Sequence, residues 1–353
     1  MKTAIITLTK GSVELGLRLH ERLTGSELFL PEKHRDMADG KGMTFTEIKD
    51  AAEKAFSEYG GLVFIMATGI VVRIIAPFIK GKDVDPAVVV MDEAGRFAVS
   101  LLSGHLGGAN ELAREVAKHT GAIPVITTGT DVCNKPCAED IARELDCEIE
   151  NVTGIKKINS AFLHDEQVAI NLPAGEREAI AGCGNFIFFD TLNELLASDC
   201  PARIAVTNRI IPDILENCLA FRPKNLVVGI GCNRNSSAEE VEDVICTVLK
   251  DAGLSKKSIR NLATIDVKND EVGLLNYAKK YDLTIDFFNK EELEKEKLVT
   301  PPSLHVIEAV GVGGVCEPAA MLSARASNLL VNKVKSGNVT MAVAECCEAL
   351  DVR

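Results

Sequence analysis

No run of Lys and Arg in this 353-residue chain is concentrated enough to cover a phosphate backbone, and 51 acidic against 39 basic residues leave a formal net charge of -12. That balance argues against nucleic acid as a partner, because each neutralised phosphate needs a local cation. An apolar stretch approaching the roughly 18 residues of a membrane span is also missing, so no membrane partner is expected. The opening MKTAIITLTKGS carries one early Lys and an apolar-leaning run cut short at Lys10-Gly11. It is too brief for a secretory signal and predicts a first β-strand of a cytoplasmic protein.

A disulfide framework is missing as well. The 11 cysteines are odd in number and mostly scattered singly through apolar contexts, such as Cys147, Cys183, Cys200, Cys218 and Cys246. Reduced thiols there behave as small hydrophobes. Cys133 and Cys137 have a knuckle-like spacing but lack a second Cys/His pair at a zinc-finger distance, and the adjacent Cys346 and Cys347 cannot comfortably share one ion. No protein metal site is expected. Glycine signatures for nucleotides are incomplete too. Gly229-Ile230-Gly231 is followed by Cys-Asn-Arg where a dinucleotide fold needs a third glycine, the Gly311, Gly313, Gly314 set fails similarly, and a P-loop lysine is absent.

What is present is a β-α-β-α rhythm with continuous apolar strands. Strands are expected at 3–9, 27–30 and 62–67, with helices at 11–23 and at 46–58, the latter capped by Thr46. Such a rhythm implies a largely parallel sheet covered on both faces. Ala87–Met91 and Phe97–Leu102 flank Asp92-Glu93-Ala94-Gly95-Arg96, which reads as a hairpin and makes the sheet mixed. A helix over 110–119 stops at Gly121, and a strand is expected at 124–130. From 132 the texture changes to short apolar runs between turns, until Arg222-Pro223-Lys224, where proline suggests a linker. The alternation then resumes: strand, glycine turn, a helix capped at Ser236 or Ser237, then strands at 263–267, 283–288, 304–310 and 339–344. The expected fold class is therefore α/β and multi-domain. Mixed, mostly parallel sheets covered by helices make up residues 1–131 and 224–353, and a smaller α/β middle domain spans 132–223.

Three strand-to-helix loops stand out: Ser103–Asn110, Gly229–Ser237 and Gly311–Pro318. Each should expose backbone N–H groups at a helix N-terminus, and in an open α/β sheet such loops gather at the C-terminal edge of the strands, where ligands bind. His105, set among glycines, is the foremost general acid/base candidate. Glu317, at a helix start, is a second. Arg73 and Arg234 lie beside glycine turns, where a guanidinium can hold a carboxylate.

These residues also carry a resemblance. MATGIVVRIIAP, DPAVVVMDEAGRFAVSLLSGHLGGANELA, PVITTGTD, VVGIGC and VGVGGVCEPAA resemble the signature segments of the cobalt-precorrin 5A hydrolase (CbiG) family of anaerobic cobalamin biosynthesis, in the same order along the chain. The resemblance implies hydrolysis of the ring A acetate δ-lactone of a cobalt-bearing tetrapyrrole. The methylated C20 carbon is then lost as acetaldehyde, giving cobalt-precorrin 5B. It further implies His105 as base, Glu317 or Glu93 for the later proton transfer, and a substrate cradle of Gly69, Arg73, Ser103, Gly104, Gly107, Gly108, Asn110, Gly229, Gly231, Arg234, Gly313 and Gly314. Cobalt would arrive in the substrate, so no cofactor is implied. Partners would be the small tetrapyrrole and, transiently, neighbouring enzymes of the pathway. A non-catalytic tetrapyrrole carrier using the same loops, and a sugar-phosphate or nucleotide enzyme, are the competing readings.

Overall fold

The computed structural model describes residues 1–81, 84–210, 214, 218–296, 300–301 and 312–346. The chain forms two compact units, Met1–Glu139 and Asp140–Arg353. Among the described residues no helix is long and apolar enough to cross a membrane.

The first unit holds a seven-stranded sheet. Its strands are β1 (Thr3–Thr7), β2 (Ser26–Pro31), β3 (Met43–Phe45), β4 (Gly61–Ile65), β5 (Ala87–Met91), β6 (Phe97–Leu102) and β7 (Ile123–Val125), in the order β3-β2-β1-β4-β5-β6-β7. β1, β4 and β5 are buried along their whole length, as the continuous apolar runs require. Helices α1 (Lys10–His20), α2 (Ile48–Glu58), α3 (Thr68–Ile75) and α4 (Ala109–Thr120) sheathe the sheet. Two apolar clusters result: α1 and α4 contribute to one, α2 and α3 to the other. α1 starts on a capping box between Thr9 and Ser12. Thr46 does not cap α2; the helix begins two residues later, after Glu47, without a side-chain cap.

The hairpin at 92–96 decides where loops can go. β5 and β6 are antiparallel, with Val88 opposite Leu102, whereas β6 and β7 are parallel. The Ser103–Gly108 loop therefore leaves the sheet at the edge where β4 and β5 begin, not where they end. The expectation that all three glycine loops lie at the C-terminal edge of the main parallel strands fails here. β6, α4 and β7 instead form a small parallel unit with an edge of its own.

The second unit carries two five-stranded sheets. One runs β10-β9-β11-β12-β8, from β8 (Cys147–Ile149), β9 (Val168–Asn171), β10 (Phe186–Phe189), β11 (Arg203–Val206) and β12 (Leu219–Pro223). The other runs β15-β14-β13-β17-β16, from β13 (Leu226–Cys232), β14 (Ile259–Ile265), β15 (Thr284–Phe288), β16 (Leu329–Ser336) and β17 (Val339–Glu345). Of the expected linker, Arg222 and Pro223 lie in β12 and pair antiparallel with β8, and Arg222 is fully buried against Glu150. Its guanidinium also donates to the carbonyls of Thr207 and Arg209. The two sheets are tied by Asn208 and Asn225, which both donate to Glu345, and by Glu148, which receives Lys224 and Lys257. Ser237 and Glu240 form the expected capping box on the Ala238–Asp251 helix. The strand expected over 304–310 lies outside the described residues, as does Gly311.

Candidate active site

The Ser103–Gly108 loop is tightly self-bonded. The Ala109 and Asn110 amides donate to the carbonyls of Ser103 and Gly104 (3.1 and 3.0 Å), and the Gly108 amide donates to His105 (3.0 Å). The N-terminal amides of α4 are thus largely taken up by the loop itself. Among the described residues, the amides of His105, Leu106 and Gly107 make no such backbone bond. Gly108 stands at φ 82° before α4, a left-handed position that suits glycine. Ser103 occupies the same region at φ 57°, and its hydroxyl is buried without a hydrogen-bond partner among the described residues. A non-glycine residue in the left-handed region and an unpartnered buried hydroxyl each cost stability, a local cost of the kind that clusters at functional sites.

The segment after β7 closes the site. Instead of continuing as a strand to Thr130, the chain turns into a short helix, Gly129–Val132, that brings Thr130 and Asp131 to the loop. His105 Nε2 lies 2.9 Å from Thr130 Oγ1 and 3.6 Å from Asp131 Oδ2; its Nδ1 lies 3.5 Å from the buried thiol of Cys137. The imidazole side chain is 14% exposed. Asn110, 1% exposed, accepts from Ser100 (2.7 Å) and donates to Thr128 (3.1 Å) and Asp131 (3.0 Å). Asp131 also receives Thr128 (2.6 Å) and Arg114 (2.5 Å). Cys133 is exposed while Cys137 is buried against His105, so the two thiols do not share an environment.

Burial alone would raise the Asp131 carboxyl, but the hydrogen bonds from Thr128 and Arg114 and the charge of His105 outweigh it and hold it below the ordinary carboxylate range. A carboxyl lowered by folding contributes stability above its unfolded value, about 3.9, and loses that contribution as the pH falls through the folded value. Asp131→Asn is accordingly expected to cost about 2 kcal/mol of stability at pH 7 and progressively less at a pH well below the unfolded value of about 3.9. Urea unfolding at the two pH values checks this; an equal loss at both would show that the charge is irrelevant.

The other candidates are scattered by the fold. Glu93 is exposed in the β5–β6 hairpin, beside Gly11 at the start of α1. β5 separates its edge from that of His105 by about 17 Å, five residues at ~3.4 Å each. Gly69 opens α3 at the same far edge, and Arg73, exposed, folds back to donate to the Gly69 carbonyl (2.8 Å). In the second unit, Arg234 is paired with Asp270 and donates to the Val267 carbonyl. Glu317, 1% exposed, accepts from the amide and hydroxyl of Thr300 and from the Lys333 amide, all at 3.0 Å. Its carboxylate pins three chain segments together. Gly229 lets the Cys316–Ala324 helix press on β13, and Gly231 accepts from Thr340 (3.0 Å). Gly313 is half-buried and Gly314 buried in the turn before that helix. Sequence reasoning missed Asp131, Thr130 and Cys137 as neighbours of His105, and missed the buried Lys268–Glu271 pair (3.4 Å) beside the loop after β13.

The chain matches known proteins along nearly its whole length. Residues 50–131, 137–223 and 226–344 match the family models described as cobalamin synthesis G N-terminal, cobalamin biosynthesis central region and cobalamin synthesis G C-terminus. The chain is 36% identical over 352 residues to a cobalt-precorrin-5A hydrolase of Priestia megaterium, covering 97% of this chain and 94% of that one. The chain belongs to the cobalamin synthesis G family. A cobalt-precorrin-5A hydrolase of Salmonella typhimurium is 33% identical, with 96% of each chain covered. A crystal structure of a cobalamin biosynthesis protein G homologue from Sulfolobus solfataricus is 25% identical, covers 98% of this chain and 97% of its own, and superposes with a TM-score of 0.37. In the cobalamin synthesis G frame, the N-terminal family match ends at Asp131, so its last residue is the carboxylate that faces His105.

Proposed function

We infer that this chain is a cobalt-precorrin-5A hydrolase, an enzyme of cobalamin biosynthesis. Two relatives that bear that name, at 36% and 33% identity and matched along nearly their full lengths, carry the reading and favour an enzyme over a non-catalytic carrier. The reaction opens the ring A acetate δ-lactone of a cobalt-bearing tetrapyrrole and releases the C20 carbon with its methyl group as acetaldehyde. Cobalt is part of the substrate, and the chemistry needs no resident cofactor.

The His105 surroundings suit the first step. A carboxylate near Nε2 favours the tautomer with its N–H there, donated toward Thr130 and Asp131, and leaves the Nδ1 lone pair as the base. The present partner of Nδ1 is the Cys137 thiol, a weak donor, which it can exchange for a water. Asp131 then steadies the imidazolium that forms when that water is deprotonated and attacks the lactone carbonyl. The amides of His105, Leu106 and Gly107 are the donors for the developing oxyanion. Glu93, at the far edge of the first sheet, is not part of this proposal, and His105 returns the proton in the later fragmentation. Mass spectrometry of the corrinoid after incubation tests the reading: the product should show both the freed acetate and the loss of a two-carbon unit. A substrate recovered with unchanged mass would count against it.

A further inference from the structure

Beyond the hydrogen-bonding groups, three exposed aliphatic residues stand on segments that meet at one edge of the first unit. Val84 is 65% exposed, Leu106 38% and Val132 68%. Exposed aliphatic residues scattered singly need no explanation, but these stand on two loops and a short helix whose neighbouring segments the fold brings together. The site that a Cβ of Gly107 would occupy is 3.3 Å from the Ala87 amide nitrogen, and that of Gly104 is 3.1 Å from Thr128 Cγ2. The Ser103–Gly108 loop is therefore flanked by the segment entering β5 and the segment leaving β7. Val84 lies three residues before Ala87, Val132 four after Thr128, and Leu106 at the middle of the loop between them.

Described backbone beside these residues is hydrogen-bonded. The Asp85 carboxylate, 5% exposed as a residue, accepts from the amides of Lys80 (2.9 Å) and Gly81 (3.1 Å), and the Val132 amide donates to Thr128 (3.0 Å). Leu106 follows His105, whose ring is held by Thr130. Aliphatic groups beside the amides of His105, Leu106 and Gly107, which make no backbone bond among the described residues, make a surface that is apolar with a polar centre, the usual composition of a small-molecule site.

We propose that Val84, Leu106 and Val132 form a platform for the flat apolar face of the tetrapyrrole, with the lactone set over the amides of His105, Leu106 and Gly107. This rests on the hydrolase reading and adds where the ring lies and which residues recognise it. A macrocycle face is broad and apolar while its carboxylates project from the rim, so aliphatic contacts from several loops suit it better than a single deep pocket.

The test is steady-state turnover of cobalt-precorrin-5A by the full chain carrying Leu106→Asn, Val132→Asn or Val84→Asn. Each should raise KM about tenfold while kcat stays within a factor of two, because an aliphatic contact to the ring is lost without touching the chemistry. Leu106→Met, which keeps the contact apolar, should hold KM near the wild-type value. Ile123→Asn is the control. Ile123 is 60% exposed and pairs with Phe97 at the opposite edge, so its KM should not move. Unchanged KM in the three variants, with wild-type melting curves, would overturn the platform and leave the hydrolase reading standing. A KM that rises equally in Ile123→Asn would also overturn it. No turnover by the wild-type protein would instead remove the hydrolase reading, and the platform with it.

Discussion

His105→Ala should lower acetaldehyde release from cobalt-precorrin-5A by a factor of about 10²–10⁴, the usual range for loss of a positioned general base. The loss should fall on kcat, with substrate binding retained, because the unbonded amides and the aliphatic side chains around the loop remain. Stability should fall too, since the imidazole bridges the loop to Thr130 and meets Asp131 and Cys137. The activity measurement therefore belongs at a temperature where circular dichroism shows the variant folded. Asp131→Asn should give a smaller loss in kcat, about tenfold to a hundredfold, because the amide can still meet Nε2 but carries no charge to steady an imidazolium. A folded His105→Ala protein with wild-type kcat would remove His105 from the chemistry and make its contacts purely architectural.

Gly229→Ala is expected to be among the most damaging single changes in the second unit. A Cβ at this position would fall on the Cys316 carbonyl oxygen and lie 2.9 Å from both the Ala320 amide nitrogen and its Cβ. Those atoms belong to the backbone or the root of a packed helix, so no flexible side-chain end can move away. The Cys316–Ala324 helix would have to lift from β13, taking with it Ala319 and Ala320, both fully buried. Forcing such a shift costs about 3 kcal/mol or more, enough to populate the unfolded form of a marginally stable domain. Thermal unfolding checks it. An unchanged melting midpoint would mean that the helix can reseat freely, and the role of Gly229 in packing would be wrong. By contrast, Gly253→Ala meets no atom within 4 Å but forces φ +65°, so only the smaller strain of a left-handed residue should appear.

Much of the fold can be read from the sequence because its signals are local. The apolar runs at Ala4–Ile6, Leu62–Ile65 and Ala87–Met91, rich in β-branched residues and bounded by turn signals, read as buried strands and are, and Asp92-Glu93-Ala94-Gly95 reads as the tight turn it forms: Asp92 accepts from the amides of Ala94, Arg96 and Phe97. The capping box at Ser237 and Glu240 is equally legible. What was not legible depends on partners distant in sequence. Leu329–Ser336, with Asn and two Lys among its apolar residues, gives no clean alternation, yet it forms β16 because β17 offers it an edge. Pro223 closes β12, where its missing N–H is tolerated at the end of the strand.

The site follows the same division. Its loop could be found from Ser103-Gly104-His105-Leu106-Gly107-Gly108, but its edge could not, since one hairpin reverses β6 and carries the loop away from Glu93 and Gly69. Asp131 stands 26 positions after His105 and looks like an ordinary turn acid. Only the parallel β6-α4-β7 crossover makes them neighbours. Glu317 shows the converse. An acid in the first turn of a helix invites a functional reading, but Thr300 and Lys333 already occupy its oxygens.

The central claim, that this chain opens the lactone and expels the C20 unit, is tested most directly by trapping volatile aldehyde. Purified protein would be mixed with enzymatically prepared cobalt-precorrin-5A under anaerobic conditions, and the aldehyde captured with a carbonyl reagent. Release of about one acetaldehyde per substrate consumed by the wild-type chain, and far slower release by folded His105→Ala, is the predicted result. Intact substrate and no acetaldehyde from the folded wild-type chain would contradict it.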